Sequence, residues 1–145
     1  MKLTLPPPLL FLLSGAFMYF LPQIYPLVFP FYLILPLIAL AFIIGAMSLM
    51  SFYQAKTTIT PINPHKTSAL VTDGIYRFTR NPMYLSLALL LCAWAMYLSH
   101  LLAWLGLPLF VCIINYLQII PEEKVLEEKF GQNYLQYKKQ VRRWI

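Results

Sequence analysis

The sequence predicts an all-α integral membrane protein with four transmembrane helices, an ordered cytoplasmic loop and a C-terminal amphipathic helix. The chain has 145 residues, of which 60% are hydrophobic and only 11% are charged. Its 11 basic and 5 acidic side chains are clustered and leave two uncharged blocks, residues 3–55 and 81–121. A soluble domain draws roughly a quarter of its residues from Asp, Glu, Lys and Arg, so blocks of this length exclude a soluble domain.

Each uncharged block is long enough for two membrane spans, since one span needs about 20 apolar residues. Prolines between residues 22 and 30 divide the first block, and Ser99 and His100 divide the second. The predicted spans cover residues 7–24, 31–53, 83–99 and 101–120. A cleavable signal peptide is the alternative for the first span because Lys2 precedes an apolar run, but three prolines at 6–8 favour a retained span.

The distribution of basic residues predicts the orientation. All 11 lie on one side of a four-span path, and the two opposite turns carry none. By the positive-inside rule, both termini are expected to be cytoplasmic, in the inner (plasma) membrane of a prokaryote. The formal net charge of +6 suits contact with anionic membrane lipids, and we do not interpret it as a nucleic-acid surface.

We interpret residues 1–145 as a single membrane domain. It comprises two N-terminal spans (1–55), a cytoplasmic loop (56–82), a helical hairpin (83–120) and a cytoplasmic amphipathic tail (121–145). The loop is expected to be ordered against the membrane face because apolar residues are interleaved with its polar ones. These are Leu70, Val71, Ile75, Tyr76 and Phe78.

The sequence of the tail predicts an amphipathic helix. Glu122 and Glu123 follow Pro121 and complement the positive end of a helix dipole. Gly131 is a candidate for an interruption of this helix. The apolar residues of the tail recur at spacings of three and four, which places them on one face. They are Leu126, Phe130, Tyr134, Tyr137 and Val141. The simplest interpretation is a helix that lies on the anionic leaflet.

Common soluble-enzyme signatures are missing from the sequence. It contains no phosphate-binding glycine loop, no nucleophile elbow and no paired metal ligands, so no metal is expected. His65 and His100 are each expected to be structural or solvated. Cys92 and Cys112 lie inside predicted spans and suggest no disulfide framework. The spans also lack Asp, Glu, Lys and Arg, which weighs against an ion-coupled transporter.

Polar residues gather at the cytoplasmic ends of the third and fourth predicted spans. They are Arg77, Arg80, Asn81, Tyr84, Gln118, Glu122 and Glu123. Because the two spans form a tight hairpin, these ends are expected to be neighbours. Carboxylate, guanidinium and aromatic groups together suit a polar cofactor with both positive and anionic parts. A structural belt of salt bridges, such as Arg80 with Glu122, is the alternative.

Two motifs resemble a known family. The run LVTDGIYRFTRNPMYLS at 70–86 precedes PEEKVLEEKFGQNYLQYKKQVRRWI at 121–145. In this order and at this separation they resemble the isoprenylcysteine carboxyl methyltransferase family and its relatives, which include phospholipid methyltransferases. The family pattern is LVTxGxYxxxRHPxY, a carboxylate pair, then LxxxFGxxYxxYxxxV. The resemblance covers residues 57–145.

The resemblance implies a membrane enzyme that transfers a methyl group from S-adenosylmethionine to a lipophilic or lipid-linked acceptor. The acceptor would be isoprenylcysteine carboxylate-like or phospholipid amine-like and would enter from the bilayer. Carried over residue by residue, the cofactor site would comprise Leu70, Val71, Tyr76, Asn81, Pro82, Tyr84 and Glu122. Glu122, Asn81 and Gln118 would stand at the catalytic positions.

Two positions depart from the family pattern. Asn81 stands where eukaryotic members have His, and Gln118 stands where they place an Arg that faces the carboxylate substrate. An amide can still form hydrogen bonds with the cofactor, so both changes are compatible with methyl transfer. Loss of the Arg removes the obvious partner for an anion, which weighs against a prenylcysteine carboxylate as acceptor.

Two other functions are consistent with the same sequence. An NADPH-dependent reductase related to the membrane sterol reductases would share the architecture of the later part of the chain. The chain is, however, much shorter than the usual ten-span body of those enzymes. A non-enzymatic membrane scaffold, whose polar loops bind only lipid headgroups, is the third interpretation.

Overall fold

The computed structural model describes residues 5–57 and 68–145, and these residues form a bundle of helices. The α-helices are α1 (Pro7–Phe20), α2 (Phe31–Gln54), α3 (Pro82–Leu98), α4 (Gly106–Ile114), α5 (Ile120–Phe130) and α6 (Gln132–Gln140). Shorter 3-10 helices cover Gly74–Arg77 and Leu101–Leu105, and a π-helical turn covers Asn115–Ile119. The described ranges contain no β-strand, which confirms the all-α prediction for them. The predicted loop residues 58–67, including His65, lie outside the described residues.

Two of the helices are long and apolar enough to cross a membrane. They are α2 and the continuous helix Leu101–Phe130, which joins α4 and α5. Helix α1 has 14 residues and α3 has 17, which at about 1.5 Å per residue makes both shorter than a bilayer core of about 30 Å. Four transmembrane helices therefore stay a prediction, and the first predicted span ends at Phe20 rather than at residue 24.

The helix Leu101–Phe130 does not end where the sequence predicts. We expected the fourth span to stop at residue 120 and a separate tail helix to begin at Pro121, but the helix continues through this proline. A proline ring inside a regular α-helix clashes with the carbonyl four residues earlier. The π-helical turn Asn115–Ile119 lies directly before Pro121 and widens the backbone there. This local widening lets the helix extend beyond the apolar segment.

Helix α3 is the centre of the bundle. Both α1 and α2 pack on it, and α1 also packs on α4. The indole nitrogen of Trp94 donates to the carbonyl oxygen of Gly15 at 3.1 Å, which ties α3 to α1. At the far end from the polar residues, an isolated bridge joins Pro26 to His100. His100 is buried, and its Nδ1 accepts from the Ala103 amide at 3.2 Å, so its role there is structural.

Helix α1 packs tightly against α4 at Gly106. A Cβ atom at this position would lie 2.1 Å from Cγ of Met18, which is fully buried. We expect Gly106→Ala to lower the free energy of unfolding by about 1–3 kcal/mol through overpacking, as measured by denaturation in detergent. Met18→Ala in the same chain should make the effect of Gly106→Ala much smaller than in the parent, because it removes the atoms that the new methyl group would overlap. The control is Gly15→Ala, whose Cβ would meet its nearest atoms at an ordinary 3.9 Å, and equal losses in both variants would contradict the expectation.

The predicted amphipathic tail is divided and faces the protein. Helices α5 and α6 meet at Gly131, whose φ of +52° lies in the left-handed region that favours glycine. Tyr134 and Tyr137 of the predicted apolar face are buried in a cluster with Phe52 and Tyr76. The aromatic face therefore joins the tail to the end of α2 and to the 3-10 helix Gly74–Arg77. A position of this tail on the lipid leaflet stays a prediction.

Candidate active site

A small cavity, which we call the polar cavity after the carboxylate, guanidinium and phenol groups in its wall, lies where the start of α3, the start of α5, helix α6 and residues 69–76 meet. Its volume is about 60 Å³. It is lined by Phe52, Ala69, Leu70, Val71, Tyr76, Arg80, Asn81, Met83, Tyr84, Ile119, Glu122, Glu123, Leu126, Tyr134 and Tyr137. Six of the predicted site residues are thus brought to one cavity, namely Leu70, Val71, Tyr76, Asn81, Tyr84 and Glu122.

Glu122 and Tyr84 are hydrogen-bonded to each other in the cavity wall. The hydroxyl of Tyr84 donates to Oε1 of Glu122 at 2.5 Å. Tyr84 lies in the first turn of α3, which begins at Pro82, and Glu122 lies in the first turn of α5. The short connection between α3 and Leu101–Phe130 folds these helices side by side. The ends of the hairpin are therefore neighbours, as the sequence predicts.

The neighbouring carboxylate, Glu123, is the partner of two arginines. Its Oε1 accepts from Nη1 of Arg80 at 2.8 Å, and Arg143 donates Nε to Oε1 at 3.0 Å and Nη2 to Oε2 at 2.8 Å. Ion pairs of the kind given as the alternative are thus present, but the partner of Arg80 is Glu123 and not Glu122, the example named from the sequence. Consecutive residues of an α-helix point about 100° apart, so Glu122 faces Tyr84 while Glu123 faces the arginines. Arg77 pairs elsewhere, with the exposed Asp73.

Arg80 retains one donor for which the described residues provide no acceptor. Its side chain is 9% exposed, and its Nε is buried with no hydrogen-bond partner in residues 5–57 and 68–145. An unsatisfied buried donor costs free energy. Because Arg80 also lines the cavity, an oxygen of a bound ligand could satisfy this donor.

Tyrosine side chains form another part of the cavity wall. Tyr76 shares a hydrogen bond with Ser48 at 2.8 Å, and the Tyr137 hydroxyl donates to the backbone oxygen of Tyr76 at 2.7 Å. Burial raises the pKa of Tyr76 and of Tyr137 above the ordinary tyrosine value, and it raises the pKa of Tyr134 to about 12. These hydroxyls are therefore neutral at physiological pH. The Tyr137 hydroxyl is a donor, whereas the Tyr134 hydroxyl accepts from Nη1 of Arg80 at 3.4 Å.

Two predicted site residues do not line the cavity. Pro82 begins α3 beside Asn81 and is buried in the bundle. Gln118 is 2% exposed, and its Nε2 donates to the carbonyl oxygen of Leu5 at 2.6 Å. Ile119, the next residue, faces the cavity instead. The amide of Gln118 thus fixes the segment before α1, and Gln118 does not line this cavity. Its catalytic role stays a prediction.

Several lining residues were not predicted as site residues. Arg80 and Glu123 belonged to the polar cluster that was expected to suit a cofactor, but the family resemblance assigned no site position to either of them. Tyr134 and Tyr137 are part of the FGQNYLQY run, so the family pattern could have indicated them. Phe52 lies at the end of a long apolar helix, and no sequence signal distinguishes it from its neighbours.

Comparison with known proteins identifies the family. The phospholipid methyltransferase model matches residues 31–133. A stretch of 63 residues, 43% of this chain, is 54% identical to the whole of an uncharacterized protein of Haemophilus influenzae. A stretch of 88 residues, 61% of this chain, is 32% identical to a protein-S-isoprenylcysteine O-methyltransferase of Schizosaccharomyces pombe.

The match to the yeast enzyme covers 37% of that enzyme. No solved structure shows a significant match to this chain. The family match extends from the start of α2 to the tail and includes both the segment 70–86 and the carboxylate pair of α5. The predicted resemblance is confirmed at the level of the family, and the relatives support an enzyme of the methyltransferase kind. The chain belongs to the phospholipid methyltransferase family.

Proposed function

We propose that this protein transfers the methyl group of S-adenosylmethionine to a lipophilic or lipid-linked acceptor at the cytoplasmic membrane face. The observation that carries the proposal is the position of Tyr84 and its partner Glu122. Both line the polar cavity, and Tyr84 also lines an apolar groove on the opposite side. A polar cofactor and an apolar acceptor chain could therefore meet at this residue.

The chemistry of the cavity residues suits the cofactor. S-adenosylmethionine carries a cationic sulfonium and an amino-acid end with an ammonium and a carboxylate group. Glu122 can accept from the ammonium, and the tyrosine rings can contact a cation through their faces. Nε of Arg80, which has no partner among the described residues, can donate to the carboxylate once binding opens the cavity around it. The cavity volume of about 60 Å³ holds only a few water molecules. Cofactor binding must therefore widen it.

The groove supports a lipid acceptor. It has a volume of about 640 Å³, lies between the start of α1, α2 and α3, and shares Met83 and Tyr84 with the polar cavity. A second apolar groove of about 600 Å³ begins at Leu90, which lines both grooves. Helices α1 and α2 both pack on α3 and leave this path between them. Its length along α3 and its apolar lining fit an acyl or prenyl chain.

The protein has little covalent chemistry to perform. The sulfonium provides an excellent leaving group, so a lone pair of the acceptor attacks the methyl carbon and the electrons of the sulfur–carbon bond pass to sulfur. The residues around Tyr84 must align the acceptor with this bond and exclude water. A carboxylate acceptor needs no base. An ammonium acceptor must first lose a proton. It would lie beside the carboxylate of Glu122, which could accept that proton.

Titration of the detergent-purified protein with S-adenosylhomocysteine tests the cofactor. We expect saturable binding by isothermal titration calorimetry, and no binding at millimolar concentration by a folded protein would contradict the proposal.

A parallel fluorescence titration with NADPH tests the reductase alternative. The acceptor is sought by incubation with radiolabelled S-adenosylmethionine and a total lipid extract of the native cells. A labelled lipid that depends on the protein is the expected result.

The groove can be blocked without a change at the cavity. Ala46 lines the groove on α2 and is exposed, so Ala46→Trp should lower methyl transfer to the labelled lipid about tenfold by filling the acceptor path. Affinity for S-adenosylhomocysteine should be unchanged. Ile43→Trp is the matched control, because Ile43 is 56% exposed on the same helix and does not line either groove. Equal transfer rates in the two variants would exclude this route for the acceptor.

A further inference from the structure

Residues 141–144, which we call the anchor segment, lie against residues 79–81, which directly precede α3. Two consecutive carbonyl groups of this segment accept hydrogen bonds from three consecutive residues. The Arg80 amide donates to the Arg142 oxygen at 3.0 Å. The Thr79 hydroxyl and Nδ2 of Asn81 donate to the Arg143 oxygen at 3.3 and 3.0 Å. The anchor segment therefore holds the backbone and side chains that precede the cavity.

The side chains of the anchor segment hold it in place from three directions. Val141 is buried in the aromatic cluster of Phe52 and Tyr76. Arg143 forms its two hydrogen bonds with Glu123, and these raise the pKa of its guanidinium. The indole of Trp144 donates to Oδ1 of Asn115, in the π-helical turn, at 3.2 Å. The anchor segment thus connects α2, the 3-10 helix Gly74–Arg77, α5 and the π-helical turn.

The hydrogen bond from Asn81 decides which way its amide group faces. A backbone carbonyl can only accept, so the NH₂ group of Asn81 must point to the Arg143 oxygen. The amide oxygen then points away from the anchor segment, and it forms no hydrogen bond among the described residues. Asn81 lines the cavity. Its oxygen is therefore available to accept from a ligand.

We propose that the anchor segment is a positioning element of the cofactor site, in which Arg143 acts through Asn81. Its ion pair with Glu123 fixes the Arg143 carbonyl, and that carbonyl presents the Asn81 amide oxygen to a donor of the cofactor. The amide thereby has a defined orientation that an unrestrained asparagine would lack. This inference rests on the proposed function and assigns a role to residues outside the cavity.

The affinity of full-length variants for S-adenosylhomocysteine tests the inference by isothermal titration calorimetry. Arg143→Ala should weaken binding about tenfold, comparable to loss of a charge-assisted hydrogen bond. Arg143→Lys keeps the charge but cannot form the bidentate contact with Glu123, so an intermediate loss of affinity is expected. The control is Arg142→Ala, which removes the same charge from an exposed side chain and keeps its backbone carbonyl. It should bind like the parent.

A double-mutant cycle separates positioning from general stability. Asn81→Ala should also cost about tenfold, and if Arg143 acts through Asn81, the double variant should lose about tenfold rather than about a hundredfold. A hundredfold loss, or parental binding by both Arg143 variants, would overturn the inference while the proposed function stands. Lack of binding by the parent would overturn both. Should Arg143→Ala not fold, the same cycle with Arg143→Lys gives the answer.

Discussion

Glu123→Gln is expected to lower the free energy of unfolding by about 3–5 kcal/mol, the usual cost of removing one partner from a buried ion pair. The Glu123 side chain is 8% exposed and accepts from both Arg80 and Arg143. Arg80 is itself 9% exposed, so its guanidinium would remain in the interior without a counter-charge. The same substitution would loosen the attachment of the anchor segment to α5, because Arg143 would lose its two charged contacts.

Denaturation in detergent measures this effect, and the tail supplies a matched control. Glu127 forms an ion pair with Lys138, but their side chains are 35% and 36% exposed. An ion pair so accessible to water contributes about 0–1 kcal/mol, so Glu127→Gln should have little effect. Both variants remove one negative charge from α5. Equal destabilisation by the two variants would show that burial does not make the ion pairs of Glu123 contribute more to stability than the exposed pair of Glu127.

Glu122→Gln is expected to weaken binding of S-adenosylhomocysteine about 10- to 100-fold, which corresponds to about 1.5–3 kcal/mol for a hydrogen bond to a charged group. The substitution retains the shape of the side chain and an oxygen that can accept from Tyr84. It removes the carboxyl group that, when ionised, presents a negative charge to the cavity. The fold should therefore be preserved while the attraction for the ammonium group is lost.

Calorimetric titration of Glu122→Gln needs a control of equal charge. Glu128→Gln is suitable because Glu128 lies on the same helix, is exposed and does not line the cavity. It should bind like the parent. Tyr76→Ala, which removes an aromatic wall of the cavity, should also weaken binding. Parental affinity in both Glu122→Gln and Tyr76→Ala would place the cofactor elsewhere on the protein.

The sequence alone determined the helical class and the parts of the chain that form the site. Uncharged blocks predict apolar helices because a charge is costly in a lipid environment, and prolines mark where helices begin, as at Pro7 and Pro82. The segments 70–86 and 121–145 carry the family pattern. A helical hairpin between them is sufficient to predict that Tyr84 and Glu122 approach each other.

The tertiary structure decided which atoms meet. Sequence spacing gives the relative directions of side chains within one helix, but not the rotation of that helix against its neighbours. That rotation turns Glu123 rather than Glu122 toward Arg80, and it turns Gln118 toward Leu5 and away from the cavity. It also depends on packing at sites with no polar signal, such as Met18 against Gly106. Hydrophobic packing sets the rotation, and the rotation selects the polar partners.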